Sequence, residues 1–153
     1  DDQDKLEGIF KAGLLNKDCV VVVRYQGPKA LGMPELHKLT PFLGILQDKG
    51  YKVALVTDGR MSGASGKVPA AIHLVPEAVD GGLLAKLQNG DLIRVDAVSG
   101  QIECLEDMNV VNSREAAPNP KGNQRGCGRE LFAVNRDNIS NAEQGASYLF
   151  AGE

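Results

Sequence analysis

Two short apolar segments, each followed at once by a polar loop with glycines, constrain this chain most. Residues 18–25 contain four successive valines, which favour extended structure and predict a strand that is buried on both faces. Residues 52–56 are nearly all apolar and predict a second buried strand. The first strand should break at Gly27-Pro28, because proline cannot donate to a strand ladder and glycine permits a sharp turn. Since both loops leave buried strands, they could converge on one site.

The second loop, residues 58–67, has an unusual composition for a simple connection. It contains three glycines, two serines, one carboxylate and two cations. Glycine lets the backbone approach a ligand closely, so a functional loop and an ordinary mobile surface turn both remain open. A phosphate-binding P-loop is excluded, because Met61 stands where the first glycine is required and Val68 where the metal-binding hydroxyl is required.

Composition limits the classes of protein to which the chain can belong. Its 153 residues suit one domain, and 42% of them are apolar. With 17 basic and 20 acidic residues, 5% aromatic residues and no tryptophan, nothing indicates nucleic-acid binding. No apolar run approaches the roughly 20 residues of a membrane span, and no signal peptide opens the chain. We therefore expect a cytoplasmic location and no membrane partner.

The cysteines are few and widely spaced. Cys19, Cys104 and Cys127 form no Cys-x-x-Cys pair, which argues against a zinc site or a disulfide scaffold. Thiolates also bind iron–sulfur clusters, but nothing in these spacings supports such a cluster within the chain. We expect Cys19 and Cys104 to pack as small apolar side chains and Cys127, which lies between two glycines, to be exposed.

Strands with short helices between them predict an α+β fold for the rest of the chain. Two regions have a clear local signal: Pro34 suits the first turn of a helix, and the alternation around Ser99-Gly100 is typical of a hairpin. The remaining predictions are a lead-in helix within residues 1–17, strands at 72–75 and 110–111, a short helix at 83–87, a loop excursion at 113–128 and a tail at 137–153.

Three motifs resemble one enzyme family. They are Arg-Tyr-Gln-Gly-Pro-Lys at residues 24–29, Gly-Met-Pro-Glu-Leu at 32–36 and Thr-Asp-Gly-Arg-Met-Ser-Gly at 57–63. Together they resemble the C-terminal domain of the dehydratases that include dihydroxy-acid dehydratase and 6-phosphogluconate dehydratase, over roughly residues 18–107. The Gln-Gly-Pro and Ser-Gly-Lys variants are similar to the 6-phosphogluconate branch, since dihydroxy-acid members usually carry Glu-Gly-Pro and lack the Ser-Gly-Lys step.

The resemblance implies a β-barrel-like swivelling domain with peripheral helices, formed by residues 1–153 as a single C-terminal domain. Because the chain starts at Asp1 and the family's enzymes are several times longer, we expect it to be a C-terminal portion. The N-terminal domain of the same enzyme would then hold the iron–sulfur cluster and the remaining Mg²⁺ ligands. The implied reaction is the dehydration of 6-phosphogluconate to 2-keto-3-deoxy-6-phosphogluconate, the lyase step of the Entner–Doudoroff route. We expect a homodimer for the complete enzyme and no activity for this chain alone.

The resemblance also implies roles for individual residues. By similarity, Ser62 would be the catalytic base, activated by a nearby metal that lowers the pKa of its alcohol. Glu35 would provide one carboxylate to Mg²⁺, although an early glutamate can equally cap the helix predicted at Pro34. The substrate-binding candidates are Asp58, Arg60, Ser65, Lys67 and His73.

Two of these candidates have ordinary structural alternatives. Ser65 and Lys67 offer a hydroxyl and an ammonium for a terminal phosphate, but a single lysine is often only a solvated charge. His73 alternates with apolar neighbours, so a structural histidine is the alternative there. Two other functions also remain open for the chain: a dehydratase of another sugar acid or dihydroxy acid, and a non-catalytic anion-binding module.

Overall fold

The computed structural model describes residues 4–61 and 66–149. Within them the α-helices are α1 Lys5–Lys11, α2 Pro28–Leu31, α3 Thr40–Asp48, α4 Met108–Ser113 and α5 Ala133–Asn138. The strands are β1 Cys19–Val23, β2 Val53–Thr57, β3 Ala70–Ala71, β4 Ile93–Asp96 and β5 Gln101–Cys104. Short 3-10 helices lie at Ala78–Asp80, Leu83–Lys86, Lys121–Asn123, Arg129–Phe132 and Ala142–Gln144. This mixture confirms the α+β prediction.

A three-stranded parallel sheet in the order β1-β2-β3 organises the domain. Every residue of β2 is buried, as its apolar sequence predicted, and β2 lies at the centre of the sheet. The chain returns from β1 to β2 through α2 and α3, because parallel strands require a crossover rather than a tight turn. The loops that follow β1 and β2 therefore leave the same edge of the sheet, as the sequence suggested.

Strand β1 contacts apolar clusters on both faces, but it is less buried than its four valines predicted. Cys19 and Val21 pack against a cluster that includes Leu39 and Leu43, and Val20 and Val22 pack against a second cluster. Only the last residue of β1 is buried, because β1 lies at the edge of the sheet and pairs with β2 alone among the described residues. A groove of about 1480 Å³ runs along this open edge, between β1, α1 and residues 87–95.

The prediction that a helix starts at Pro34 is wrong. The helix begins instead at Thr40, with Pro41 in its first turn, where a missing backbone N–H costs nothing. The residues before it cannot be helical, because Met33 has a φ of 54° and Glu35 forms an isolated parallel β-bridge with Arg60. The capping alternative for Glu35 is therefore wrong as well.

The hairpin prediction is confirmed by β4 and β5, which pair antiparallel, but two predicted strands are wrong. Residues 72–75 do not form the expected strand; the strand in this region is β3, which contains only Ala70–Ala71. His73 takes a left-handed conformation with a φ of 58°, and this ends the extended segment. The strand expected at 110–111 lies within α4. The side chain of Asp107 accepts a hydrogen bond from the backbone N–H of Asn109 at 2.8 Å and so caps that helix.

The described strands do not close into a barrel; they form the parallel sheet and the separate hairpin. The barrel-like part of the expectation therefore stays a prediction. The loop excursion at 113–128 is largely irregular, as expected, and contains one 3-10 turn. In residues 4–61 and 66–149, no helix is long and apolar enough to cross a membrane.

Candidate active site at the carboxyl edge of the parallel sheet

The loops after β1, β2 and β3 meet at the carboxyl edge of the sheet. Gly59, just after β2, packs so closely on the loop after β1 that a Cβ at its position would lie 2.6 Å from the Cβ of Gln26. Its carbonyl accepts a hydrogen bond of 2.9 Å from the backbone N–H of His73, which follows β3. A residue without a side chain is thus required where these loops converge.

Asp58 lies beneath this edge and is fully buried. Its Oδ2 accepts hydrogen bonds from the backbone N–H groups of Tyr25 at 3.1 Å and Ala78 at 3.0 Å, and its Oδ1 accepts one from Gln26 at 2.9 Å. Both oxygens are therefore used to connect three chain segments. This geometry gives Asp58 a structural role and does not present its carboxylate to a substrate at the surface.

Glu35 and Arg60 are brought together at the rim of the same edge. Nη1 of Arg60 lies 3.2 Å from Oε2 of Glu35, and its Nε donates to the carbonyl of Met33 at 2.7 Å. The side chain of Arg60 is 46% exposed and that of Glu35 is 24% exposed, so a ligand can reach both. An exposed ion pair contributes little to stability. The pair thus offers one carboxylate and one guanidinium to a ligand at little structural cost.

The described residues could provide part of a Mg²⁺ site. Among residues 4–61 and 66–149 there is no group of three or more His, Cys, Asp or Glu side chains that could hold a metal ion. Mg²⁺ is commonly bound through one or two carboxylates together with water and substrate oxygens, so the accessible carboxylate of Glu35 fits as a single ligand.

The cysteines do not fit an iron–sulfur cluster. All three are free, and Cys127 is exposed as predicted. Cys19 and Cys104 are half-buried and pack against different apolar clusters. An iron–sulfur cluster needs several thiolates around one centre, so these three cysteines cannot jointly bind one.

Glu77 is a buried carboxylate that the sequence reasoning missed. It is fully buried, and its two oxygens accept hydrogen bonds from the backbone N–H of Lys29 at 3.3 and 3.1 Å and, through Oε2, from that of Ala30 at 3.4 Å. Burial raises the pKa of Glu77 to about 7, the two N–H groups oppose this, and the charges of Asp58 and Asp80 add to it. A single glutamate after a proline gave no signal in the sequence.

Lys67 lies away from this rim. Its Nζ pairs with Oδ1 of Asp48 at 2.5 Å, at the end of α3. The start of α3 is marked by Thr40, whose hydroxyl lies 2.9 Å from the sulfur of Met61. A helix of nine residues separates its ends by about 12 Å, so this pairing holds the ammonium at the far end of α3 from Met61.

The other predicted site residues divide into two groups. His73 is exposed and its backbone contacts Gly59, so the structure places it at the same edge as Arg60. Its predicted position in a strand among apolar residues is wrong. Ser62 and Ser65 lie outside the described residues, and their predicted roles as base and substrate ligand stay predictions.

These features define an α+β domain in which loops that follow parallel strands present an accessible carboxylate beside a guanidinium. The chain belongs to the family described as dihydroxy-acid/6-phosphogluconate dehydratase C-terminal, whose model matches residues 1–146. This confirms the family that the three motifs predicted.

Comparison with individual relatives agrees with the 6-phosphogluconate branch. The chain is 62% identical over 145 residues to the phosphogluconate dehydratase of Pseudomonas aeruginosa, covering 95% of this chain and 24% of that protein. It is 57% identical over 151 residues to the phosphogluconate dehydratase of Zymomonas mobilis, covering 99% and 25%. A dihydroxy-acid dehydratase of Wolinella succinogenes is 41% identical over 122 residues, covering 79% and 22%. The chain thus spans about a quarter of the length of these relatives.

Proposed function

We propose that this chain is the C-terminal portion of a hydro-lyase that dehydrates 6-phosphogluconate to 2-keto-3-deoxy-6-phosphogluconate. The family match and the two phosphogluconate dehydratases at 57–62% identity support this assignment. The structural observation that supports it is the Glu35–Arg60 pair, in which a carboxylate suited to Mg²⁺ and a guanidinium suited to an anion lie 3.2 Å apart.

The reaction removes the proton on C2 and the hydroxyl on C3, and the resulting enol becomes the 2-keto product. In our proposal Ser62, two residues after Arg60, takes the C2 proton as its alkoxide and is thereby returned to the alcohol. Glu35 binds Mg²⁺, which when bound lowers the pKa of an adjacent alcohol and polarises substrate oxygens. The Lewis acid for the C3 hydroxyl would be supplied by an iron–sulfur cluster, which we assign to the remainder of the enzyme because the cysteines of this chain do not fit one.

Arg60 would bind the carboxylate of the substrate. Its guanidinium can form two parallel hydrogen bonds with a carboxylate, and it is already held in place by the carbonyl of Met33 and by Glu35. We propose that His73, which is exposed and lies beside Gly59, contacts the same ligand. Asp58 contributes only indirectly, since it anchors the loop after β1.

Lys67 remains our candidate for the terminal phosphate, together with Ser65. Its ammonium is exposed and paired with Asp48, so phosphate binding would require Lys67 to leave that partner. The exchange is reasonable energetically, because an exposed ion pair is weak while a phosphate offers a charge-assisted hydrogen bond.

We propose that the open edge of β1 is the surface on which the remainder of the enzyme closes this domain. A single strand of five residues occupies roughly 800 Å³, so the groove of about 1480 Å³ can hold one. A strand there would pair with the edge of β1 that no other described strand occupies, and it would extend the sheet toward the hairpin, which would give the barrel-like swivelling domain. The homodimer and the cytoplasmic location stay predictions.

The assignment is tested by assaying the complete enzyme and the 153-residue chain separately. We expect the complete enzyme to form the keto acid from 6-phosphogluconate and the chain alone to form none. If the complete enzyme prefers a dihydroxy acid or an unphosphorylated sugar acid, the assigned substrate changes but the assigned dehydration reaction does not. If the complete enzyme binds such anions but converts none of them, the chain belongs to a non-catalytic binding protein.

The role of Glu35 is tested by Glu35→Gln in the complete enzyme. The amide keeps the shape of the side chain but removes the charge that Mg²⁺ favours, so the Mg²⁺ concentration at half-maximal activity should rise about tenfold or more. Glu103→Gln is the matched control, because Glu103 also pairs with an arginine, Arg94, but lies on the hairpin. Equal Mg²⁺ requirements for the two variants would remove Glu35 from the metal site.

A further inference from the structure

Glu77 sits at the start of α2 and takes the place of a capping side chain. Gly27, the residue before α2, has no side chain of its own to cap the helix. The carboxylate of Glu77 instead accepts hydrogen bonds from Lys29 and Ala30, the second and third residues of α2. A Cβ at Gly27 would lie 2.2 Å from Oε2 of Glu77, so the glycine is needed for the carboxylate to reach these groups.

From this cap, backbone hydrogen bonds lead to Glu35. The carbonyl of Gly27 accepts hydrogen bonds from Leu31 at 3.0 Å, Gly32 at 3.1 Å and Met33 at 3.3 Å, which folds residues 27–33 into one compact turn. The carbonyl of Met33 then accepts from Arg60, and Arg60 pairs with Glu35. The position of Glu35 is therefore determined by a segment whose other end is held by Glu77.

The geometry points to Glu77 as a positioning residue, which fixes residues 27–35 through the cap on α2 and so places the Glu35 carboxylate for metal binding. This inference rests on the proposed role of Glu35 but concerns a residue that neither touches the metal nor the substrate. This positioning role requires an oxygen that accepts hydrogen bonds from the two N–H groups of α2. It does not require the negative charge of Glu77.

The charged groups around Glu77 are consistent with that distinction. Asp58 and Asp80 both disfavour its ionised form, and the ammonium of Lys29 is paired with Asp80 at 2.6 Å. Glutamine, which keeps an acceptor oxygen at the same reach without charge, should therefore replace Glu77 well. Aspartate keeps the charge but is one methylene shorter, so its oxygens should fall short of Lys29 and Ala30.

The experiment compares Glu77→Asp and Glu77→Gln in the complete enzyme, with Asp80→Asn as control. Hydrogen exchange of the backbone N–H groups of residues 29–33 reports on the position of the segment. Competition with Mn²⁺, followed by the EPR signal of free Mn²⁺, reports on Mg²⁺ affinity without any turnover. Glu77→Asp should speed the exchange and weaken Mg²⁺ binding, each by about tenfold. Glu77→Gln and Asp80→Asn should stay within about twofold of the parent in both measurements.

A second variant covers the case in which Glu77→Asp fails to fold. Gly27→Ala leaves Glu77 chemically intact but pushes its carboxylate away, so it should reproduce both effects. Unchanged exchange in either variant would overturn the inference, as would faster exchange with unchanged Mg²⁺ affinity, which would make Glu77 merely structural. A parent enzyme that binds no Mn²⁺ contradicts the proposed function instead, and the exchange comparison then decides alone whether Glu77 fixes the segment.

Discussion

Glu77 should make the stability of this domain decrease as the pH rises. Its carboxyl group has an ordinary pKa of 4.5, and burial raises the pKa in the folded chain to about 7. The folded state therefore holds the proton more tightly than the unfolded state. The stabilising contribution is complete below pH 4.5, is lost as the pH rises from 4.5 to 7, and changes no further above that range.

The size of the effect follows from the shift in pKa. Each unit of pKa corresponds to about 1.36 kcal/mol, so a shift from 4.5 to about 7 corresponds to roughly 3 kcal/mol over the whole range. Between pH 5.5 and pH 8 the wild-type chain should lose about 2 kcal/mol through this group. Glu77→Gln cannot ionise, so it should lack this loss while keeping an acceptor oxygen for Lys29 and Ala30.

The assay is urea unfolding of the 153-residue chain at pH 5.5 and pH 8. The free energy of unfolding of Glu77→Gln relative to wild type should rise by about 2 kcal/mol between the two pH values. All other titrating groups are shared and cancel in this difference. Asp80→Asn removes the smallest of the contributions that raise the pKa of Glu77, so it should keep most of the wild-type pH dependence. An identical pH dependence for wild type and Glu77→Gln would refute the reasoning.

Three further predictions concern Ser62, Lys67 and Gly59. In the complete enzyme, Ser62→Ala should lower turnover by roughly 10²- to 10⁴-fold and leave substrate binding intact, and activity within a few-fold of the parent would exclude Ser62 as the base. Lys67→Ala should weaken binding of 6-phosphogluconate by about 1.5 to 3 kcal/mol more than that of gluconate, whereas Asp48→Asn should not; equal losses for both substrates would assign Lys67 to the end of α3. Gly59→Ala should destabilise the 153-residue chain to urea by about 1 to 3 kcal/mol, because its Cβ would lie 2.6 Å from the neighbouring loop, and Gly122→Ala, with nothing within 4 Å, should be nearly neutral.

Local patterns in the sequence predicted the central features of the fold. β1, β2 and the β4–β5 hairpin were all correct, since a run of valines, an apolar run and an alternation around a Ser-Gly turn each depend on neighbouring residues. Prediction from local patterns failed where a contact with a distant residue determined the backbone conformation. Residues 33–35 follow a left-handed residue and pair with Arg60 instead of starting a helix at Pro34.

By itself, then, the sequence determined the α+β class, the two loops that meet at one edge and the family to which the chain belongs. Only the tertiary structure decided what the charged groups at that edge do. Asp58 is buried under three backbone N–H groups, Lys67 pairs with Asp48, and Glu77 reaches α2 from 48 residues away. The physical reason is that the role of a carboxylate or an ammonium depends on its burial and on its partners, and those partners are separated from it by long stretches of chain.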